Sequence, residues 1–153
     1  MRTVAAHELV PGARVADAEA LWYDLRRWPG FVDGFGSMAL WEGEWPARDA
    51  RVVWDSRPDG RGRVAEQVIA HEPGASQRVG VEDHQLRGEQ TIRFAQSDRG
   101  CRVTLELTYE LKRPGVGGAL ADLFFVRHAL RASLRRTLER FAIELRADRD
   151  LAT

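Results

Sequence analysis

The chain has 153 residues, enough for one domain with a real core, and its 44% apolar and 30% charged content is ordinary for a soluble globular protein. Lys plus Arg balances Asp plus Glu at 23 each, so the net charge gives no electrostatic case for nucleic acid or an anionic membrane surface. One cysteine, Cys101, excludes an intrachain disulfide, and no stretch approaches the roughly 20 apolar residues of a membrane span, so the expectation is a cytoplasmic protein without stable membrane insertion.

Thr3 to Val10 reads as a first strand, ended by Pro11-Gly12. Asp17 is placed as the N-cap of a helix running to about Arg27, with Leu21, Trp22 and Leu25 at helical spacing. Trp28-Pro29-Gly30 is expected to stop it, and Phe31 to Phe35 to form a second short helix or turn. The period then changes from helical to two. Strands are predicted over Ser37–Glu42, Arg51–Ser56, Arg63–His71, Gln77–Asp83, Leu86–Phe94 and Cys101–Lys112, joined by Pro/Gly-rich or polar turns that favour antiparallel neighbours. After Pro114-Gly115 a last helix is expected from Gly117 to about Ala147, with fraying beyond Asp148. Gly115, Gly117 and Gly118 read as a flexible lead-in to it, or part of a pocket gate.

The faces follow from periodicity. In the last strand Val103, Leu105, Leu107, Tyr109 and Leu111 alternate with polar residues and must face the core. Its neighbour puts Leu86, Gly88, Gln90, Ile92 and Phe94 inward, so Gln90 is a polar residue on an inward face. Such an amide needs partners: a satisfied core amide and a pocket role both account for it. Tyr109 fits packing with its hydroxyl on a backbone partner, or the same pocket. On the long helix Leu120, Leu123, Leu130, Leu134, Leu138, Phe141 and Leu145 fall on one side, and Arg127 projects onto the middle of that side. A guanidinium there must snorkel out, join a structural ion pair, or anchor a ligand's carboxylate, enolate or phenolate.

Other groups are less committed. Five tryptophans suit core packing, but Trp28 and Phe31, with Phe35 and Trp41 nearby, could rim a cavity and stack on a planar ligand. The four histidines show no metal spacing, and no phosphate loop, dinucleotide fingerprint or nucleophile elbow appears, so no metal or cofactor is expected. Cys101 reads as a small packing residue at a strand start. Glu82-Asp83-His84 reads as a solvated strand end, and Arg57, Arg61 and Arg63 as the solvated tip of a turn.

The order of elements resembles the helix-grip fold of the START/Bet v 1-like (SRPBCC) superfamily. VADAEALWYDLRRWPGF (Val15 to Phe31) is similar to that superfamily's opening helix and Trp-Pro turn, VIAHEPG (Val68 to Gly74) to a strand end carrying Glu-Pro, and GCRVTLELTYEL (Gly100 to Leu111) to its last strand, with Cys101 where many members have Thr. The resemblance covers nearly the whole chain and is closest to the polyketide cyclase/dehydrase and lipid-transport-like branch. It implies an α+β domain over residues 1–153: a curved antiparallel sheet of about seven strands around a long C-terminal helix, with two short helices between strands 1 and 2. It also implies a ligand held between sheet and helix, and it supplies no catalytic residue.

The leading expectation is therefore a protein that binds or carries an apolar or aromatic small molecule (a lipid, polyketide or quinone-like compound), with Arg127, Gln90, Tyr109, Trp28, Phe31, Phe35, Trp41 and Leu123 as candidate contacts. A cyclase or aromatase acting on a bound polyketone is the enzymatic alternative, and a partner-binding module without ligand is the third. A homodimer stays open.

Overall fold

Strict alternation in the last strand sets the frame of the sheet. In the computed structural model, which describes residues 1–112 and 119–152 and the side chains of these outside 119–123, β7 (Gly100–Leu111) buries Val103, Leu105, Leu107 and Tyr109 on one face. It pairs antiparallel with β1 (Arg2–Pro11) on one side and β6 (Leu86–Ser97) on the other. Beyond β6 the sheet continues through β5 (Ser76–Glu82), β4 (Arg63–Glu72), β3 (Arg51–Ser56) and β2 (Phe35–Glu42). The seven-stranded order is β1-β7-β6-β5-β4-β3-β2, with every pairing antiparallel. Six consecutive strands form a meander, and β1 returns beside the last of them.

That order puts β1 and β2 at opposite edges, so the chain between them must cross the sheet. It does so as α1 (Val15–Trp22), a 3-10 turn (Leu25–Arg27) and α2 (Trp28–Phe31). The continuous helix expected up to Arg27 is thus interrupted. The carboxylate of Asp24 accepts from the Arg26 backbone N–H at 3.2 Å, which offers the chain a local turn in place of a helical hydrogen bond. The N-cap position belongs to Arg14, and Asp17 sits inside the first turn, where its charge suits the helix dipole. Trp28-Pro29 opens a helix instead of stopping one, since proline in the first turn forfeits no intrahelical hydrogen bond.

The last helix, α3 (Ala119–Ala152), has 34 residues and is about 50 Å long. Leu134, Leu138, Phe141, Ala142 and Leu145 are buried from it, and Val126 and Leu130 are half-buried against the same core. It packs on β1, β7, α1 and α2. It continues beyond the expected end at Ala147 because its last turns are tied down. Arg27 donates to Glu144 at 2.8 Å and to both oxygens of Asp148 at 3.0 and 3.1 Å, and Arg149 donates to the Pro11 carbonyl at 2.7 Å. The expected glycine-rich lead-in at Gly115, Gly117 and Gly118 lies outside the described residues. No helix of the described residues is long and apolar enough to cross a membrane.

Candidate functional site

The inward face of β4 reads Val64, Glu66, Val68, and all three side chains are buried. Alternation therefore carries a carboxyl group into the interior. Register places Glu66 between Val52 of β3 and Val81 of β5, with only apolar neighbours beside it along the row. Its one hydrogen bond among the described residues comes from the indole of Trp54, which donates to Oε2 at 2.7 Å. Burial holds the Glu66 carboxyl above the ordinary 4.5, and the Trp54 bond and the charge of Arg61 offset this only in part. The Glu66 carboxyl therefore keeps its proton to a higher pH than an exposed glutamate.

Arg61, on the β3–β4 connection, forms the next wall. Its guanidinium lies 6.0 Å from the Trp54 ring centroid, and its Nε donates to Asp83 Oδ2 at 2.7 Å. Asp83 is buried, and its Oδ1 accepts from the backbone N–H groups of Gln85 and Leu86 at 2.8 and 3.0 Å. Within the stretch expected to be a solvated strand end, Glu82 and His84 are exposed but Asp83 is an internal brace that fixes Arg61, whose side chain is thereby drawn in from the turn tip to the cavity. Arg61 Nη2 is buried and has no hydrogen-bond partner among the described residues.

These side chains border a cavity of about 40 Å³ between sheet and helix. Trp54, Arg61, Glu66, Val81, Gln90 and Leu105 line it from the sheet side, and Ser133, Leu134 and Thr137 from α3. Trp22, Trp28, Val32 and Asp33 close it from α1, α2 and the connection that follows. The volume holds about one water or the polar end of a ligand. The wall beside α2 is locked: Asp33 accepts from Ser133 Oγ at 2.8 Å, from Arg136 at 2.9 and 3.0 Å and from Arg140 at 3.2 Å, while its backbone N–H donates to Thr137 Oγ1 at 3.0 Å. Burial works against the charge on Asp33, but the bonds from Arg136 and Ser133 and the positive charges outweigh it and keep its carboxyl below the usual range.

Of the residues expected from sequence to line a pocket, Gln90 and Trp28 do so. The Gln90 amide makes no side-chain hydrogen bond among the described residues. Phe35 stacks on Trp54 at 5.3 Å and so backs the wall, while Phe31 packs between Trp22 and Phe141 at 5.5 and 5.4 Å in the core. Tyr109 is fully buried on β7 opposite Gly88, away from the cavity lining, with its hydroxyl unpartnered among the described residues. Trp41 is 54% exposed on the edge strand β2. Arg127 is solvent-exposed on α3, in a stretch where Phe124 and Phe125 are exposed too. The side chain of Leu123 lies outside the described residues. Cys101 is buried, as expected of a packing residue, and burial pushes its thiol up.

Sequence reasoning missed Glu66, Arg61 and Trp54. The signal for Glu66 was present: in Val64-Ala65-Glu66-Gln67-Val68 it occupies the same inward parity that singled out Gln90. No pattern in sequence marks Arg61, because its partner Asp83 arrives from the end of another strand.

The fold that frames this cavity has counterparts among known proteins. The sequence matches the family described as polyketide cyclase / dehydrase and lipid transport over residues 1–146. The chain belongs to this family. Solved structures agree in fold. The protein TTHA0849 from Thermus thermophilus is 25% identical, with 96% of this chain and 99% of that one covered and a TM-score of 0.75. The di-domain ARO/CYC StfQ from the steffimycin biosynthetic pathway is 19% identical, with 95% of this chain and 52% of that one covered and a TM-score of 0.74. Norcoclaurine synthase from Thalictrum flavum, solved with dopamine and hydroxybenzaldehyde, is 11% identical, with 94% and 86% covered and a TM-score of 0.69. The helix-grip fold of Bet v 1-like proteins expected from sequence is therefore the fold of this family member. No functionally curated protein matches the chain.

Proposed function

We propose that the chain, as a single helix-grip domain, binds an apolar or aromatic small molecule in the cavity between its sheet and α3. One observation carries this reading. Three tryptophans wall a cavity into which Glu66 and Gln90 bring hydrogen-bonding capacity that no described residue uses. Buried polar groups are normally satisfied, so unused capacity at one enclosed place marks a site for something else to bind. The family supports the reading, and so do two proteins of the same fold, an aromatase/cyclase and a synthase holding two aromatic compounds. Native mass spectrometry of protein purified from its own host tests it. A co-purifying organic molecule that Leu134→Trp expels is the expected result. A protein that emerges empty, and whose tryptophan emission ignores a panel of aromatic compounds, defeats the reading.

Catalysis on the bound molecule is the second reading, and Glu66 is what favours it. A carboxyl group whose hold on its proton is strengthened by burial is suited to act as a general acid toward a substrate oxygen. A cyclase or aromatase working this way loses turnover in Glu66→Gln while retaining substrate binding. A carrier has no turnover to lose.

A further inference from the structure

A net charge of zero hides a local asymmetry on α3. Residues 123–138 carry four arginines and one histidine, and no aspartate or glutamate. Asp122 and Glu139 are the nearest acidic residues on either side. Of the four arginines, Arg136 is committed to Asp33. Arg127, Arg131 and Arg135 are exposed and form no ion pair among the described residues. Exposed arginines elsewhere do meet carboxylates, as Arg63 meets Asp55 at 2.9 Å and Arg87 meets Glu110 at 2.6 Å.

Length explains why this stretch stands free. The helix is about 50 Å long, whereas the ten residues of β1 against which it packs span about 33 Å. Arg149 ties the C-terminal end of α3 to Pro11, the last residue of β1, so the surplus length falls at the other end. There Phe124 and Phe125 are 73% and 76% exposed, and Arg127, His128 and Ala129 are exposed around the rest of the helix. Two adjacent phenylalanines left in water forgo the burial that a sheet beneath them would supply. At about 100° per residue, Phe124, Arg127, His128, Arg131 and Arg135 share an arc of about 100°, and Phe125 flanks it. Along the axis Arg131 and Arg135 trail the phenylalanines by about 10 and 16 Å.

We propose that this overhanging end of α3 docks on an anionic lipid bilayer. Phe124 and Phe125 enter the boundary between headgroups and acyl chains, and Arg127, Arg131 and Arg135 pair with lipid phosphates. The order along the helix favours a bilayer over other partners. Aromatic groups lead and cations trail, which matches hydrocarbon lying beneath a layer of phosphate. A nucleic acid has no hydrocarbon layer under its phosphates, and two rings about 100° apart around a helix share no single groove on a protein. The contact is peripheral, since no helix of the described residues is long and apolar enough to cross a membrane. It goes beyond the proposed pocket and holds whether that pocket is filled or empty.

Cosedimentation of the full chain with vesicles tests the proposal. Phosphatidylcholine vesicles containing about 30% phosphatidylglycerol are expected to bind the protein at least about tenfold more tightly than pure phosphatidylcholine, with affinity falling as salt rises. The double variant Phe124→Ser/Phe125→Ser should weaken that binding about tenfold. Arg127→Gln/Arg131→Gln should weaken it about twentyfold, near fivefold for each arginine at the surface. Arg99→Gln/Arg102→Gln removes the same charge from exposed positions at the β6–β7 turn and should change nothing. All these side chains are exposed, and circular dichroism verifies that each variant is folded. Equal binding to both vesicles, binding to neither, or binding that survives loss of both phenylalanines overturns the proposal. So does a loss in the Arg99/Arg102 variant equal to that in the Arg127/Arg131 variant. Tighter binding of a single-stranded oligonucleotide than of the anionic vesicles gives the patch to nucleic acid and overturns it too.

Discussion

At the scale of single residues, the Glu66–Trp54 pair concentrates the unusual chemistry of this interior. Because the folded-state pKa of Glu66 is raised, the fold binds a proton that the unfolded chain releases above about 4.5. Stability from this group is therefore complete below 4.5 and is lost as pH rises through the folded value. Glu66→Gln should remove that slope, so the variant gains on the wild type as pH rises. Thermal melts of both proteins across acid to alkaline pH check the sign, and a variant that gains as pH falls contradicts it. Trp54→Phe should cost about 1–3 kcal/mol, since it leaves the carboxyl without the only hydrogen bond it has among the described residues. Denaturant titration measures that loss, and Glu66→Leu in the same background should recover part of it. Glu66 was legible in principle from strand parity. Arg61 was not, because its place depends on Asp83, 22 residues away in sequence and one strand further across the sheet.

At the scale of elements, the connection between α2 and β2 is where the cavity is locked. Asp33 joins it to Ser133, Thr137, Arg136 and Arg140 on three successive turns of α3. The half-buried position makes this network worth more than an exposed ion pair, and Asp33→Ala should cost about 1–3 kcal/mol. The Asp33 carboxyl lies below its ordinary 3.8, so its contribution is present above that value and is lost as pH falls through the folded one. The gap between wild type and variant should then narrow in acid, opposite in sign to the Glu66 effect. Hydrogen exchange should also speed up locally at residues 32–35 if the lock is what holds this wall. Exchange unchanged there, with stability lost evenly, would mean Asp33 serves only the global fold. The sequence showed that two short helices precede β2 but misread their boundary. A carboxylate at Asp24 that captures a backbone N–H, and a proline that suits a first turn, are local choices which apolar spacing does not report.

At the scale of the whole molecule, alternation and turn residues sufficed for the antiparallel neighbours from β2 to β7, because each strand has one buried face and short turns leave little choice, whereas the pairing of β1 with β7 spans most of the chain and no turn signals it. The depth of the cavity was another matter. Helical spacing gave Arg127 and Leu134 the same side of α3, yet Leu134 lines the interior and Arg127 is exposed. Spacing gives direction around a helix and says nothing of how far along it the sheet extends beneath. This separation yields a test of where the pocket lies. Leu134 and Leu138 are both buried on α3, but only Leu134 borders the cavity. Each alanine substitution should cost about 2–5 kcal/mol in a denaturant titration. Leu134→Ala should in addition extend the existing space and strengthen binding of a small aromatic probe such as acetophenone. Leu138→Ala leaves any void it makes in the packed core, and its affinity should stay at the wild-type value once compared below both melting points. A ligand that responds to Leu138→Ala, or to Arg127→Ala, and not to Leu134→Ala would place the binding site elsewhere along α3.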